Sequence, residues 1–358
     1  MNKYTITTIL ILFSYLSIVS ATGDVFPYRI GDKWGITNAS GTIVMATKYD
    51  AVAYIGEGLV GVKQNGKWGY INNFGREVIP CVYQRISRFQ NGIAAVQNKG
   101  KWTFIDKKGK PALKTTFDHV SIDKGKFLYD GLIAVKAKGK WGFIDRKGKE
   151  RVFFDYTAVD RFSEGLCGVN RGGKWGFIDL NEDVIIPLEY DAVGTFHDGL
   201  ASVMKNEKWG FIDQTGEIVI PLIYEDVKHF CMGIAPVFLE ENWGYINREN
   251  ETIIPFKYLE ASCVEDGAAM VKDDNGVSYL NPKGQPISRG IFEAGLPFSD
   301  GLAAVMVEGT WSFINNSGQF AIPEGYEAVY PFRNGLAKVK KMGYWGFINK
   351  DGTEFWKN

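Results

Sequence analysis

The 358-residue sequence lacks an excess of either charge: 41 basic residues balance 41 acidic ones. That balance excludes a nucleic-acid binder driven by overall charge and leaves only a local patch to consider. Histidine is scarce, with only His119, His197 and His229, and no paired-histidine motif is present. Phosphate-cradling loops and nucleophile elbows are also missing, which removes the usual local signatures of nucleotide binding and serine hydrolysis. The four cysteines, Cys81, Cys167, Cys231 and Cys263, match no zinc spacing. No segment after Val19 approaches the ~20 apolar residues that a membrane-spanning helix needs. Long helical patterns are absent too, because Gly, Pro and Asx punctuate the chain about every 10 residues.

What is there is apolar and aromatic. Apolar residues make up 45%, enough for a large core and too many for global disorder. The 42 glycines stand among 24 Phe, 17 Tyr and 10 Trp. That mixture points to short strands joined by tight turns. Met1 to Ala21 has the three parts of a secretion signal: Lys3, an apolar stretch from Ile6 to Val19, and small or modest side chains at Val19-Ser20-Ala21. Cleavage after Ala21 is expected, leaving a mature chain of residues 22–358. No Cys follows the site, so a lipid anchor is not expected.

Nine tryptophans mark a period: Trp34, Trp68, Trp102, Trp141, Trp175, Trp209, Trp243, Trp311 and Trp345. The gaps are 34 residues, except for one of 39 and one of 68. Val277 fills the vacant place within the 68, so about ten repeats are expected, one of them degenerate. The 39 reflects a five-residue insertion near residues 118–130. A fixed period of this length is the mark of stacked modules that bury one another's faces. Gly lies ten residues before the marker and Val six before it, as in Gly199 and Val203. A small residue follows the marker, an aromatic stands at the second place after it and Asn or Asp at the fourth, as in Gly210, Phe211 and Asp213. Gly recurs at the seventh place and Tyr or Phe at the fifteenth, as in Gly216 and Tyr224.

The period reads as strand, turn, strand, turn, strand. Gly199–Val203 is a short strand, and Asn206-Glu207 turns the chain into Lys208–Asp213. Asp213–Gly216 is a second turn, and Glu217–Ile220 a third strand that Pro221 is expected to end. A short fourth strand is possible over Tyr224–Val227. Trp209 and Phe211 face one way, Gly210 and Ile212 the other, so the middle strand is expected to be covered on both sides. The hollow beside each small residue is expected to receive the indole of a neighbouring repeat. Trp356, outside the period, is expected to cover the last face of the stack.

The string Lys-Trp-Gly-Phe-Ile-Asp at Lys140–Asp145, Lys174–Asp179 and Lys208–Asp213 resembles the WG-repeat (KWG-repeat) family. With flanking Gly-Leu-Ala-x-Val and Ile-Pro-x-x-Tyr pieces, the resemblance covers residues 25–358. It implies an all-β tandem array of about ten 34-residue β-meander repeats, each blade-like with three or four strands, often in exported bacterial proteins. It carries no settled activity. The array is expected to be open or incompletely closed, because no strand is left over to seal a ring; the alternative is a closed β-propeller.

The candidate chemistry is thin. The histidines stand 17, 22 and 20 residues after their markers, so they form no aligned row. The aligned Asn/Asp residues could suggest calcium or sugar binding, but turn capping is the favoured reading. Lys before the marker is expected to form a solvated rim, partnered by the acidic residue after the Tyr: Asp50, Asp118, Asp191, Glu225, Glu293 or Glu327. Cys231 and Cys263 are the only pair in reach of a disulfide; buried small hydrophobes are the competing reading, above all for Cys167. The insertion at Asp118–Asp130 is the best single place for specificity, as an exposed loop. Asn38, Asn250 and Asn315 open glycosylation triplets that read as turn residues. No catalytic residue, metal ligand or cofactor is expected, and no binding residue can be named. The expected function is a non-enzymatic binding scaffold for a protein or glycan, secreted, periplasmic or at the cell surface. A structural envelope component is the alternative, with a propeller-like hydrolase behind it. Neither nucleic acid nor a membrane span in the mature chain is expected.

Overall fold

A computed structural model describes residues 25–38, 42–123, 125–287 and 290–357. The segment read as a secretion signal lies outside them. Among the described residues there is no helix; strands and tight turns account for the chain. They build ten small sheets, one per repeat, each running mainly antiparallel. The repeat marked by Trp209 is representative. Its sheet joins Ala192–Val193, Leu200–Lys205, Lys208–Asp213 and Ile218–Tyr224 in that order. The hairpin between the second and third of these turns at Asn206 and Glu207, both at positive φ (53° and 61°). Two such residues twist the turn to match the strands it joins.

The short strand expected at the end of each period belongs to the next sheet. Asp226 and Val227 pair with Phe238 and Val237 of the following repeat. Each sheet therefore starts with residues that the sequence places in the preceding period. Pro221 is corrected as well: it sits inside Ile218–Tyr224 rather than ending it. Pairing slips there, with Phe211 opposite Ile220 but Trp209 opposite Tyr224. A bulge has no ladder bond for the proline to break, so proline is tolerated.

The same bulge explains the small residue after the marker. A Cβ on Gly142 would stand 2.7 Å from the Val152 carbonyl oxygen and 3.1 Å from the Phe153 carbonyl carbon. The hollow is thus filled by the third strand of the same repeat, not by a neighbour's indole. Only the last repeat puts an indole there, where the Trp356 ring lies on Gly346. The marker indoles instead cover the edges of the clusters between repeats. Trp175, half-buried, packs on a core shared by Phe177, Ile186 and Tyr190 of its own repeat and Phe196, Ala201 and Val203 of the next.

Burial on both sides is as expected. Phe211 and Ile212 are both fully buried. Phe211 joins the cluster with the following repeat, and Ile212 the cluster with the preceding one. Strand alternation thus lets one hexapeptide serve two junctions. Each such side chain contributes about 1.5–3 kcal/mol by burial. Phe177, Phe211 and Phe313 meet Phe196, Phe230 and Phe332 of the next repeat edge-on, at centroid distances of 4.9, 4.8 and 4.9 Å. Such pairs add directional preference to burial. A second tie is aliphatic: a Cβ on Gly216 would lie 3.3 Å from Ile186 of the repeat before.

The ten sheets follow one another into a ring resembling a ten-bladed propeller. The last repeat lies against the first: Arg29 N–H donates to the Phe355 carbonyl (3.2 Å), and Arg29–Ile30 pair in parallel with Trp356–Lys357. Of the open or incompletely closed forms expected, this is the incompletely closed one, since strand pairing across the seam extends over only two residue pairs. The expectation that no strand is left over is corrected, because Trp356–Lys357 is a short strand that crosses to the first sheet.

Candidate functional site

The polar residues that recur in every repeat are occupied by the fold. Asp213 Oδ1 accepts the backbone N–H groups of Thr215 (2.9 Å) and Glu217 (3.0 Å). Asn72, Asp106, Asp145, Asp179, Asn247, Asn281, Asn315 and Asn349 make the same pair of bonds. The aligned Asn/Asp row is turn capping, and Asn315 belongs to it. Asn250 instead stands at positive φ and accepts the Tyr224 hydroxyl of the preceding repeat (2.7 Å).

Four of the six lysines of the rim are paired as expected. Lys33, Lys101 and Lys174 reach Asp50, Asp118 and Asp191 at 2.6, 2.5 and 2.5 Å, and Lys208 reaches Glu225 at 3.7 Å. Those carboxylates also bind the next turn: Asn65 N–H donates to Asp50 and Asn206 N–H to Asp191. The Lys174 hydrogen bond, followed by the Asn206 N–H, holds the Asp191 carboxyl below its ordinary range.

Unique residues gather elsewhere, in the stretch between the Tyr or Phe and the Gly of each period. Here neighbouring repeats bond directly. Thr195 donates to Asp160 (2.5 Å), Ser163 to the Phe196 carbonyl (2.9 Å) and Lys228 to the Ala261 carbonyl (2.5 Å). Ile218, Val184 and Phe320, on third strands, are exposed instead. Wedge-shaped sheets in a ring come closest at the inner edge, so the variable stretch forms the inner rim and the third strands the outer face.

The insertion belongs to this rim and is an exposed loop only in part: His119, Ser121, Asp123, Lys126 and Asp130 are exposed. Phe127 and Leu128 are buried, and their N–H groups donate to Gln90 Oε1 (2.7 and 3.3 Å). The extra residues carry apolar side chains that fill the junction beneath them, among them Phe127 against Phe104.

At the seam the rim opens into a cavity of about 780 Å³. Its walls come from the first three repeats and the last, and include Glu57, Arg88, Tyr330, Arg333, Lys338 and Phe347. The volume falls in the range of small-molecule sites. Lys338 Nζ lies 4.9 Å from the Trp345 ring centroid and 5.8 Å from that of Tyr330. Burial, then the nearby Arg29 charge, pulls the Lys338 amine below its ordinary value. Equivalent positions in other repeats hold Pro27, Gly61, Ala95, Ala134, Gly168, Ser202, Pro236, Met270 and Ala304, none of them charged. No binding residue was named from sequence, yet this substitution of Lys for uncharged residues was visible once the repeats are aligned.

The histidines do not form one group. His119 lies 5.5 Å from the Trp141 ring, whereas the His197 and His229 rings are 4.4 Å apart. All four cysteines are free thiols. Cys167 is fully buried and replaces Ala, as read from sequence. Cys231 and Cys263 do approach each other, and His229 joins them. Contact with Cys231 holds the Cys263 thiol below its ordinary value, and contact with Cys263 pushes the Cys231 thiol up. Sequence reading paired the two cysteines across adjacent repeats but missed His229. The signal was its phase within the period, two places from that of Cys231.

The description of WG-containing repeats matches nine consecutive units from residue 34 to residue 345. The chain belongs to the WG-containing-repeat family. No curated protein matches the sequence. Among solved structures, the chain is similar to a eukaryotic initiation factor, with 11% identity and a TM-score of 0.55 over 86% of this chain and 97% of that one. It is also similar to the dihydro-heme d1 dehydrogenase NirN, with 14% identity and a TM-score of 0.42 over 75% and 74%. At such identities the first likeness speaks for the fold alone.

Proposed function

We propose that this protein is an exported, non-enzymatic repeat scaffold that binds a protein or glycan at the ring seam. One observation carries the reading: the cavity sits where unique residues replace the repeat pattern. Tyr330 and Phe347 offer ring surfaces, and Arg88, Arg333 and Lys338 offer cations. That combination suits a negatively charged sugar chain or an acidic peptide segment, by stacking and charge-assisted hydrogen bonds. A non-enzymatic role is supported by the recurring carboxylates, whose oxygens are spent on turns and lysines. Export is supported by the Ile6–Val19 apolar stretch ahead of Val19-Ser20-Ala21.

The test is calorimetric titration of acidic and neutral oligosaccharides and of acidic peptides. Binding of an acidic ligand should weaken by more than about tenfold in Lys338→Ala and in Arg333→Ala. Equal binding by these variants would remove the cavity from the account. Fractionation of the producing cells should place a shortened chain outside the cytoplasm; an uncut cytoplasmic chain would remove export. The exposed apolar residues of the outer face, Val184, Ile218 and Phe320, favour the second reading, a structural envelope component that packs sideways.

A further inference from the structure

We propose that His229, Cys231 and Cys263 bind one zinc ion, with three protein ligands and the fourth coordination position facing solvent. The site is independent of the seam cavity, whose lining contains none of the three. Their ligand atoms all lie within 4.8 Å of one another. Cys263 Sγ and His229 Nδ1 are 3.5 Å apart. Zinc bonds of about 2.3 Å to sulfur and about 2.05 Å to nitrogen, at a tetrahedral angle, separate those two ligands by about 3.6 Å. The same geometry puts two sulfurs about 3.8 Å apart, within the observed limit.

The position in the fold is as telling as the distance. His229 and Cys231 lie on one inner-rim segment and Cys263 on the next, so the metal would bridge two blades. Other repeats fill the place of Cys231 with Gly56, Gln90, Ser163, His197, Glu265, Ser299 or Arg333, and that of Cys263 with Tyr54, Arg88, Arg161, Thr195, His229, Pro297 or Pro331. Most of these residues are polar or charged, unlike the Ala position that Cys167 takes. Exposure grades across the trio: Cys263 is buried, Cys231 half-buried and His229 exposed. A metal held at their centre would keep one open corner on the His229 side. The His197 ring packs against the His229 ring at 4.4 Å.

Binding requires both sulfurs as thiolates and a neutral imidazole. Two thiol protons pass to solvent, and the Zn²⁺ charge is balanced by the two thiolates. Affinity should therefore fall on acidification. Joining two blades, the metal should also raise the unfolding temperature.

The experiment uses the full chain, reduced and stripped of metal, titrated with Co²⁺ and then with Zn²⁺. We expect one Co²⁺ per chain, a sulfur-to-cobalt charge-transfer band with tetrahedral visible bands, and displacement by one equivalent of Zn²⁺. Cys231→Ser and Cys263→Ser should each abolish the charge-transfer signal at one equivalent, and His229→Ala should weaken Co²⁺ binding by about 10- to 100-fold. Cys81→Ser and Cys167→Ser should leave the bands unchanged. Because Cys231 is half-buried, Cys231→Ser keeps the fold testable by circular dichroism. Zn²⁺ should raise the melting temperature of the wild type and not that of this variant. A folded, reduced chain without the charge-transfer band would overturn the proposal. So would bands that survive Cys263→Ser, or a Cys231–Cys263 disulfide that forms in air despite one equivalent of Zn²⁺.

Discussion

The junctions inside the array and the junction at the seam solve the same problem with different residues. Inside, a Phe such as Phe211 meets Phe230 edge-on, Ile186 rests beside Gly216, and a shared cluster runs between sheets. At the seam, Phe26 stacks flat on Phe355 at 5.0 Å with a 2° tilt, and Trp34 meets Phe347 at 5.5 Å. Arg29 donates to the Trp345 carbonyl (2.8 Å), and Trp356 fills the hollow over Gly346. A copied module specifies its own neighbour, so the inner junctions need no special residue. The seam joins two units that are not consecutive, and unique side chains hold it. The large cavity opens there for the same reason: the filling that repetition supplies elsewhere is missing.

The comparison breaks hardest at an interior junction. Phe211→Ala should cost about 3–5 kcal/mol, because the ring is fully buried and its partner Phe230 cannot collapse into the gap. Denaturant unfolding should show it as a lower midpoint; a loss below about 1 kcal/mol would mean the junctions do not carry the fold. Gly142→Ala comes next, at about 1–3 kcal/mol, since its Cβ would press on the carbonyls of Val152 and Phe153. An unchanged melting temperature would show that the bulge moves aside freely. At the seam, Trp356→Ala should cost only about 1–2 kcal/mol, as that indole is half-buried. Its signature is shape: small-angle scattering should report a wider particle while the interior sheets persist. No change in radius would mean the Phe26–Phe355 stack alone keeps the ring together.

The smallest effect is at the rim. Asp191 has its carboxyl pKa lowered in the folded chain, chiefly by Lys174. Its contribution is therefore present above the unfolded value near 3.8 and fades as pH falls through the folded value. Wild type should thus lose more thermal stability between pH 6 and pH 3 than Lys174→Met does. Identical pH profiles would make the pair ornamental, the usual fate of exposed ion pairs.

Much of the fold was legible because it is periodic. Trp, Gly and Asx at fixed intervals marked the turns, the middle strand and its two buried faces. What misled was anything set by strands passing over one another. Pro221 read as a stop, but a bulge absorbs it. The glycine after each tryptophan read as a socket for a neighbour, yet the chain's own third strand lies on it. The insertion read as an exposed loop, although Phe127 and Leu128 turn inward. The candidate sites were less legible. Lys338 stood out only against its uncharged counterparts, and His229 joined the two cysteines only in the fold.

By itself the sequence determined the module, its length, its turns and the number of its copies, since these depend on local backbone preferences and on side-chain alternation. Tertiary structure alone decided that the copies come round to meet, that Trp356 crosses to the first sheet, and that a histidine and two cysteines share a corner. The first two outcomes depend on the small rotation between successive blades summed over ten units, and the third on how two adjacent blades pack, quantities no single period encodes.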